Sequence, residues 1–422
     1  MPFLTTPLIE PASASRPIVW RTFFTGINPD TVKIAEAEVF FRGVSLGKIR
    51  STPYATQETI SPGVATEFLF RFNVSDLVRQ NVGAVAGNLP SVIANTGSSG
   101  LANNQDFYGD LFIVVEYYTL INATGKLTNP VGTETSNTVL VYATARQHED
   151  SMDLQEFITI LPTQEGRPLT DMPLQQSICE QDNAAISFIS NWDYMRVQVF
   201  DLSGGNLGVF FASQLGVFNQ QATAGVGPQN LAQYVYFGGF PFPPLNTIGS
   251  YRIDFGYGIP VGPLLNYTQV SDTYTYTINR SCCEKQLVRL HWVNTLGGSD
   301  SYNFTGSKEE QVEVKGEFGQ KSLNWAASLP AHSKVDVGAY KFGSDAETVI
   351  RVETGVVPPN TAKWLEGVLY SPYVLIEKEI NGSKQYVSCV VEDARQVVKR
   401  SRGGVPFALT VRLANNIITS TL

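Results

Sequence analysis

The stretch from Lys285 to Gly306, KQLVRLHWVNTLGGSDSYNFTG, constrains the fold of this chain more strongly than any other. Apolar and polar residues alternate on both sides of a central turn. The apolar positions are Val288, Leu290, Trp292, Tyr302 and Phe304. A period of two places these side chains on one buried sheet face, and it places His291 on the less buried side. Gly297 and Gly298 accept positive φ at little cost, so the stretch predicts a β-hairpin that turns at this pair.

The polar residues of the turn have a structural interpretation. Asn294 precedes the glycine pair and Asp300 follows it. A carboxylate in a turn commonly accepts hydrogen bonds from backbone N–H groups, and we expect this role for Asp300. Catalysis is disfavoured there, because no partner acid or base is fixed near Asp300 in the sequence.

The strand pattern recurs along the whole chain. Of its 422 residues, 43% are hydrophobic and 16% are charged, a balance typical of globular domains with well-formed cores. Alternating segments bounded by turn residues predict a mainly β protein, with two β-sandwich-like domains followed by a mixed β domain with one clear helix. The predicted segments are an extended N-terminal arm (1–19), a β-sandwich (20–150), a β-sandwich with long loops (151–284) and a C-terminal β-rich domain (285–422).

Two helices and two irregular segments are predicted within these domains. The helices span residues 359–370, where apolar residues form one stripe, and residues 75–80. Their candidate caps are Asn360 or Thr361 for the first and Asn73 or Ser75 for the second. Residues 83–110 are small and polar and predict a long loop, and residues 216–233 predict a loose polar insertion.

Two apolar segments are candidate contact surfaces between subunits. The loop FGGFPFPPLNTIG, residues 237–249, is too rich in proline for regular structure. Its apolar phenylalanine side chains are nevertheless unfavourable in water, which makes the loop a candidate contact surface. The arm lacks the features of a signal peptide, and its prolines remove donors that a central strand would need. We expect both segments to be buried against a neighbouring copy. Their contact side chains are Phe237, Phe240 and Phe242 in the loop and Phe3, Leu4, Leu8 and Ile9 in the arm.

The charge balance restricts the partners. A net charge of −8 disfavours general binding of nucleic acid, and no stretch has the roughly 18 apolar residues of a membrane span. One basic cluster stands out, formed by Arg395, Lys399, Arg400 and Arg402. It is interpreted either as a solvated loop between strands or as a contact with an acidic neighbour protein or passing DNA.

Motifs of catalysis and metal binding fail in their context. Residues 43–47 match G-x-S-x-G, but a nucleophile elbow needs a helix after the serine, and strand-like residues follow Ser45. A turn between two strands is therefore predicted. The three histidines have no ligand spacing to one another or to cysteine, and no calcium, dinucleotide or phosphate loop occurs. The four cysteines contain no CxxC and predict reduced thiols. We predict no catalytic residue, no cofactor and no metal.

Two parts of the C-terminal third carry a resemblance. The wording W-x-N-x-x-G-G-x-D-x-Y-x-F, from Trp292 to Phe304, resembles a motif in structural tail, neck and baseplate proteins of phages infecting Bacteroidetes, crAss-like phages included. The segments WLEGVLYSPYVLIE, QYVSCVVEDARQVVK and PFALTVRLANNI are similar to the C-terminal end of the same proteins. The resemblance implies a virion structural protein without a catalytic residue.

We therefore expect a subunit of a homo-oligomeric ring in the tail or neck of a virion that is assembled in the host cytoplasm. Its partners would be further copies of itself and other virion proteins, with no membrane. The alternative is a cell-surface carbohydrate-binding β-sandwich protein, which would need exposed aromatic platforms or a metal site and a secretion signal. A third interpretation, a tail-associated hydrolase, would need paired carboxylates, which a sequence alone does not place.

Overall fold

The architecture is mainly β, so the predicted fold class is confirmed. The fold comes from a computed structural model. It describes residues 12–13, 19–26, 34–52, 55–58, 66–81, 101–103, 108–118, 130, 132–142, 157–159, 165–190, 192–213, 221–261, 264–281, 287–321, 338–380, 383–392, 404–414 and 417–420.

The chain divides into two compact units. Unit 1 comprises Met1–Ile278 and Val293–Asp300, and unit 2 comprises Asn279–Trp292 and Ser301–Leu422. The predicted sandwich 20–150 falls within unit 1, as does the predicted sandwich 151–284 up to Ile278. The predicted boundary near residue 285 differs from this division, because the turn of the hairpin belongs to unit 1 whereas most of its two strands belong to unit 2.

The first sandwich of unit 1 has two sheets that share one apolar core. The larger sheet has the order β1 (Ala12–Ser13), β10 (Val139–Tyr142), β8 (Tyr108–Tyr118), β3 (Ile34–Phe41) and β4 (Val44–Ser51), and β9 (Gly132–Thr135) also pairs with β8. The smaller sheet has the order β2 (Val19–Gly26), β6 (Thr66–Asn73) and β5 (Ala55–Glu58). Fully buried rings from both sheets, Trp20, Phe70 and Tyr117 among them, form the core that holds the layers together.

The second sandwich of unit 1 is built in the same way. One sheet has the order β11 (Ile158–Thr159), β13 (Ala185–Ser190), β16 (Gln221–Gly225) and β7 (Leu101–Asn103). The other has the order β12 (Gln175–Cys179), β19 (Tyr274–Asn279), β17 (Ile248–Val261), β14 (Tyr194–Asp201) and β15 (Asn206–Ser213), and β18 (Leu264–Gln269) also pairs with β17. At its centre the rings of Phe188, Trp192 and Phe255 lie 5.2 Å apart, centroid to centroid.

Unit 2 is organised around one eight-stranded sheet. Its order is β21 (Ser299–Phe304), β20 (Val288–Val293), β24 (Val374–Ile380), β25 (Ser383–Val391), β26 (Val405–Leu413), β23 (Gly338–Val357) and β22 (Lys308–Lys321), and β27 (Ile417–Ser420) also pairs with β23. β24 and β25 form a hairpin, with Ile380 opposite Ser383. Alternate residues of β26, from Val405 to Val411, are buried and mark the core face of this sheet.

Among the described residues, three short α-helices accompany the strands: α1 (Ser75–Asn81), α2 (Pro228–Leu231) and α3 (Pro359–Leu365). Asn73 caps α1, because its Oδ1 accepts hydrogen bonds from the Ser75 backbone N–H and hydroxyl. The predicted caps of α3 are wrong. Asn360 and Thr361 lie inside that helix, since Pro359 already occupies its first position and Pro358 precedes it without a side-chain cap. A 3-10 turn, Glu366–Val368, follows α3.

The predicted arm 1–19 contains β1 and the first residue of β2, so the prediction of an arm outside the domains is wrong for these residues. Two further segments predicted to be irregular also contain strands. β7 lies within the predicted loop 83–110, and it pairs with β16, which lies within the predicted loose insertion 216–233. The pairing also joins part of the predicted first domain to the second sandwich. β16 is buried despite its polar composition, because its side chains find partners inside: the Thr223 and Ser187 hydroxyl oxygens lie 2.8 Å apart.

The cysteines differ from expectation. Cys179 is disulfide-bonded, so the prediction of reduced thiols is wrong for this residue. Cys389 is a free thiol, and burial raises its pKa to about 12. A thiol with this pKa stays protonated near neutral pH and is a poor nucleophile.

Candidate assembly surfaces

The first strand of the motif hairpin is buried on both faces. All six residues of β20 are buried, including Arg289 and His291. The prediction that His291 lies on the less buried side is therefore wrong. The reason is the position of β20 in the sheet, between β21 and β24, where side chains of the neighbouring strands cover the polar face.

Buried charges surround one carboxylate on that face. Glu377 of β24 lies directly opposite Arg289, with 3.9 Å between the Arg289 Nε and the Glu377 Oε2. The same oxygen lies 3.3 Å from the His291 Nε2, and the other oxygen lies 2.5 Å from the Lys384 Nζ. The His291 ring also meets the Tyr386 ring edge to face at 5.2 Å. Burial alone raises the pKa of Glu377, but the hydrogen bond with His291 and the nearby positive charges outweigh it and lower the pKa to about 2.

The second strand of the hairpin completes this network. The Arg289 guanidinium donates through Nη1 to the Asn303 Oδ1 and through Nη2 to the Ser301 hydroxyl, both at 2.8 Å. Burying a charge is costly unless it is paired and hydrogen-bonded, and here both conditions hold for Arg289. These polar residues of the strands therefore act in packing within unit 2.

The turn of the hairpin is organised by Asn294. Its side-chain oxygen accepts hydrogen bonds from the backbone N–H groups of Leu296 and Gly298, both at 2.9 Å, and its amide donates to the Leu169 carbonyl at 2.7 Å. Gly297 takes a positive φ of 81°. A Cβ at Gly298 would lie 2.2 Å from the Leu169 carbonyl oxygen, so the backbones approach too closely for any side chain. These contacts explain the sequence motif N-x-x-G-G.

The side chain of Asp300 binds a hydroxyl group of another segment. The carboxylate accepts a hydrogen bond from the Thr170 hydroxyl at 2.7 Å, whereas Asn294 caps the turn. Beside it, the Ser299 N–H donates to the Ser187 hydroxyl at 3.1 Å, and the Gln221 amide donates to the Gly297 carbonyl at 2.6 Å. The turn is thus held by polar groups from other segments, and one of them, Gln221, lies in the segment predicted to be a loose insertion.

The aromatic residues of the motif pack in unit 2. Trp292 is fully buried and its ring lies 5.3 Å from that of Trp364 on α3. Tyr302 is half-buried and meets Trp364 and Phe304 edge to face, while Phe304 is buried. The whole motif therefore has an architectural role, and its side chains are used in packing and internal hydrogen bonds.

The G-x-S-x-G segment is a hairpin between strands. Arg42 and Gly43 form the turn with positive φ, and Ser45 lies on β4. The Ser45 hydroxyl donates to the Glu38 carboxylate of β3 at 2.6 Å. Because a strand and not a helix follows this serine, the geometry of a nucleophile elbow is missing.

The phenylalanine-rich loop places its three rings differently. The Phe242 ring packs against those of Phe210 and Tyr236 at 5.4 Å, and Phe237 meets the Tyr194 ring at 6.3 Å. Phe240 is 62% exposed. Two of the predicted contact rings thus have partners inside unit 1, and Phe240 is the one that extends into solvent.

Several predicted site residues lie outside the described part of the chain. They are the arm residues Phe3, Leu4, Leu8 and Ile9 and the basic residues Arg395, Lys399, Arg400 and Arg402. In the ranges that the structure describes, no group of three or more His, Cys, Asp or Glu side chains could hold a metal ion. No helix in those ranges is long and apolar enough to cross a membrane.

The structure also exposes an apolar surface that sequence reasoning missed. On β22, Val312, Val314 and Phe318 are 60%, 55% and 69% exposed, and we call these three side chains the β22 stripe. Their period of two is typical of a half-buried strand, so the sequence gives no sign that this face is open. Exposed apolar side chains in a row commonly mark contact surfaces.

No family model matches the chain, and no curated protein matches it.

Proposed function

We propose that the chain is a structural subunit of a bacteriophage virion, one copy in a symmetric ring of the tail or neck, without a catalytic role. The resemblance of the segment Trp292 to Phe304 to phage structural proteins is the observation that carries this proposal. The geometry supports it, because the residues that carry the resemblance are devoted to packing and to internal hydrogen bonds.

Exposed apolar side chains on ordered elements give a second line of support. Phe240 and the β22 stripe stand in solvent, as do Ile259 and Val261 at the end of β17. Surfaces of this kind suit contacts with neighbouring copies, because association removes them from water. Each Å² of apolar surface that is buried contributes about 25 cal/mol of favourable free energy. In a ring, every copy offers the same surface to the next, so one contact repeats until the ring closes.

One observation favours the alternative of a cell-surface carbohydrate-binding protein. Cys179 is disulfide-bonded, and such bonds persist mainly in oxidising environments. That protein would also need exposed aromatic platforms for sugars. Exposed rings exist at Phe240, Phe318 and Tyr370. Binding to a glycan array therefore separates the two functions.

The experiment is sedimentation and negative-stain electron microscopy of the purified full chain. We expect closed rings of one copy number and no glycan binding. Deleting residues 1–11, which precede β1, should weaken assembly and leave thermal unfolding of the domains unchanged, and Phe240→Ser should do the same. Leu202→Ser is the matched control, because Leu202 is 68% exposed but lies outside the predicted contacts. A chain that stays monomeric at all concentrations and binds glycans would contradict the proposal.

A further inference from the structure

β22 is a long edge strand. It ends the order of the eight-stranded sheet and pairs along its whole length with β23. Among the described residues no strand pairs with its other edge. Fourteen residues of open edge are unusual, since proteins normally shorten or cover such edges to avoid pairing with other chains.

The apolar face of this strand continues the core face of the sheet. Ile350 and Val352 of β23 are fully buried, and they lie opposite Glu310 and Lys308 of β22. Directly opposite residues share a face and alternate residues repeat it, so the β22 stripe lies on this same face, further along the strand. The core face therefore extends beyond the core and stays open to solvent.

The opposite face of β22 carries an uncompensated charge. Glu313 lies directly opposite Glu347, and like charges in this position destabilise a sheet. Glu347 has its own cations, with its carboxylate bound to Arg412 and 3.6 Å from the Lys315 Nζ. Within the described residues Glu313 has no ion pair. A second cation beside Glu313 would relieve this repulsion.

We propose that β22 pairs antiparallel with β22 of a second copy of this chain, about a two-fold axis at Val314. This register places Glu313 opposite Lys315 of the partner subunit, and the symmetry repeats the pair, so each copy supplies the cation that the other lacks. Val314 faces its own equivalent. The two stripes then form one continuous apolar row across both strands.

The shape of the stripe fits the same register. Val312 comes to lie opposite Gly316 of the partner subunit. Gly316 is covered by the ring of Phe318, because a Cβ at Gly316 would lie 3.0 Å from that ring. Each Val312 would therefore pack against the Phe318 ring of the other copy. A shift of the axis by one residue would instead place Lys315 opposite Lys315 and Glu313 opposite Glu317.

The pairing goes beyond the ring proposed above. A ring needs head-to-tail contacts, whereas a two-fold contact is self-complementary and joins copies in pairs. It would connect two rings or two free chains, and it involves neither the arm nor Phe240. The two proposals can therefore fail separately.

The test uses charge reversal in the full chain, measured by sedimentation. Glu313→Lys creates two Lys–Lys contacts and Lys315→Glu creates two Glu–Glu contacts, so each should weaken pairing at least about tenfold. A mixture of the two variants should pair again as a heterodimer, because its cross-strand contacts are Lys–Glu. Rescue by mixing would not follow if the substitutions merely unfolded the chain.

A cross-link checks the register. Val314→Cys should form an intermolecular disulfide on mild oxidation, since the two residues face each other across the axis. Val356→Cys should not, although Val356 is 69% exposed in the same unit. A wild-type chain that does not pair, a mixture without rescue, or a dimer in which Val314→Cys stays uncross-linked would overturn the proposal. Rings that persist in the charge variants would leave the proposed function intact.

Discussion

At the scale of single residues, the buried charges of unit 2 have the largest electrostatic consequence. Glu377 is 10% exposed at its side chain and is paired with Arg289, His291 and Lys384. Removing one member of such a group is costly, because the remaining charge stays buried without compensation. The group also makes stability depend on pH.

The pH dependence has a definite sign. The pKa of Glu377 is about 2 in the folded chain, below its ordinary value of 4.5. The ionised carboxylate therefore stabilises the fold fully above about pH 4.5, and this contribution is lost as the pH falls through about 2. The shift corresponds to about 3 kcal/mol, of which about 2 kcal/mol is lost by pH 3. In Glu377→Gln this dependence is absent.

Denaturant unfolding at pH 6 and pH 3 measures this pH dependence of stability. The free energy of unfolding should fall more steeply for the wild type than for Glu377→Gln between these two values. Parallel pH profiles of the two proteins would show that the carboxylate titrates normally in the folded state.

The burial of Trp292 predicts how much its replacement lowers the stability of the fold. Trp292→Ala should lower the free energy of unfolding by about 3–5 kcal/mol, through lost burial and the cavity that remains. Trp292→Phe should cost much less, because it keeps a ring against Trp364, and the Trp292 Nε1 has no hydrogen-bond partner among the described residues. A loss below about 1 kcal/mol for Trp292→Ala would be inconsistent with a fully buried side chain.

At the scale of elements, the hairpin turn depends on a close approach of two backbones. Gly298→Ala would push a Cβ to 2.2 Å from the Leu169 carbonyl oxygen, which cannot rotate away. Gly355→Ala is the matched control, since Gly355 has a positive φ of 72° but open space around its Cβ position. The free energy of unfolding of the control Gly355→Ala should fall by about 1–2 kcal/mol, because of backbone strain. The free energy of unfolding of Gly298→Ala, measured by chemical denaturation, should fall clearly more than that of the control. Equal losses would mean that the contact with Leu169 is not tight.

The hairpin also shows what a sequence can and cannot predict. Alternation and the glycine pair were enough to predict its strands and its turn. The burial of His291 could not be predicted, because it depends on Glu377, which is distant in the chain and adjacent only in the sheet. The role of Asn294 depends in the same way on Leu169.

Other elements were missed for related reasons. β16 has the composition of a loop, and its Gln221 and Thr223 are buried only because hydrogen-bond partners come from other segments. The β22 stripe reads as a half-buried strand, since Val312 and Val314 alternate with charges whether or not anything covers them. A period fixes which side chains share a face, but it does not fix what lies on that face.

The molecule as a whole combines an architectural motif with open apolar surfaces. Phe240 and the β22 stripe leave water only if another chain covers them. A subunit of a repeating assembly provides that cover, because every copy meets the same neighbour. Reduction of the Cys179 disulfide should lower the thermal stability of the chain, because the bond restricts the unfolded state.

A reconstruction by electron cryo-microscopy of the assembled full chain tests whether this chain is a structural subunit of a ring. We expect closed rings of one symmetry in which Phe240 and residues 1–11 are buried between neighbouring copies. Particles that contain a single chain, or rings in which both segments stand in solvent and touch no second copy, would contradict it.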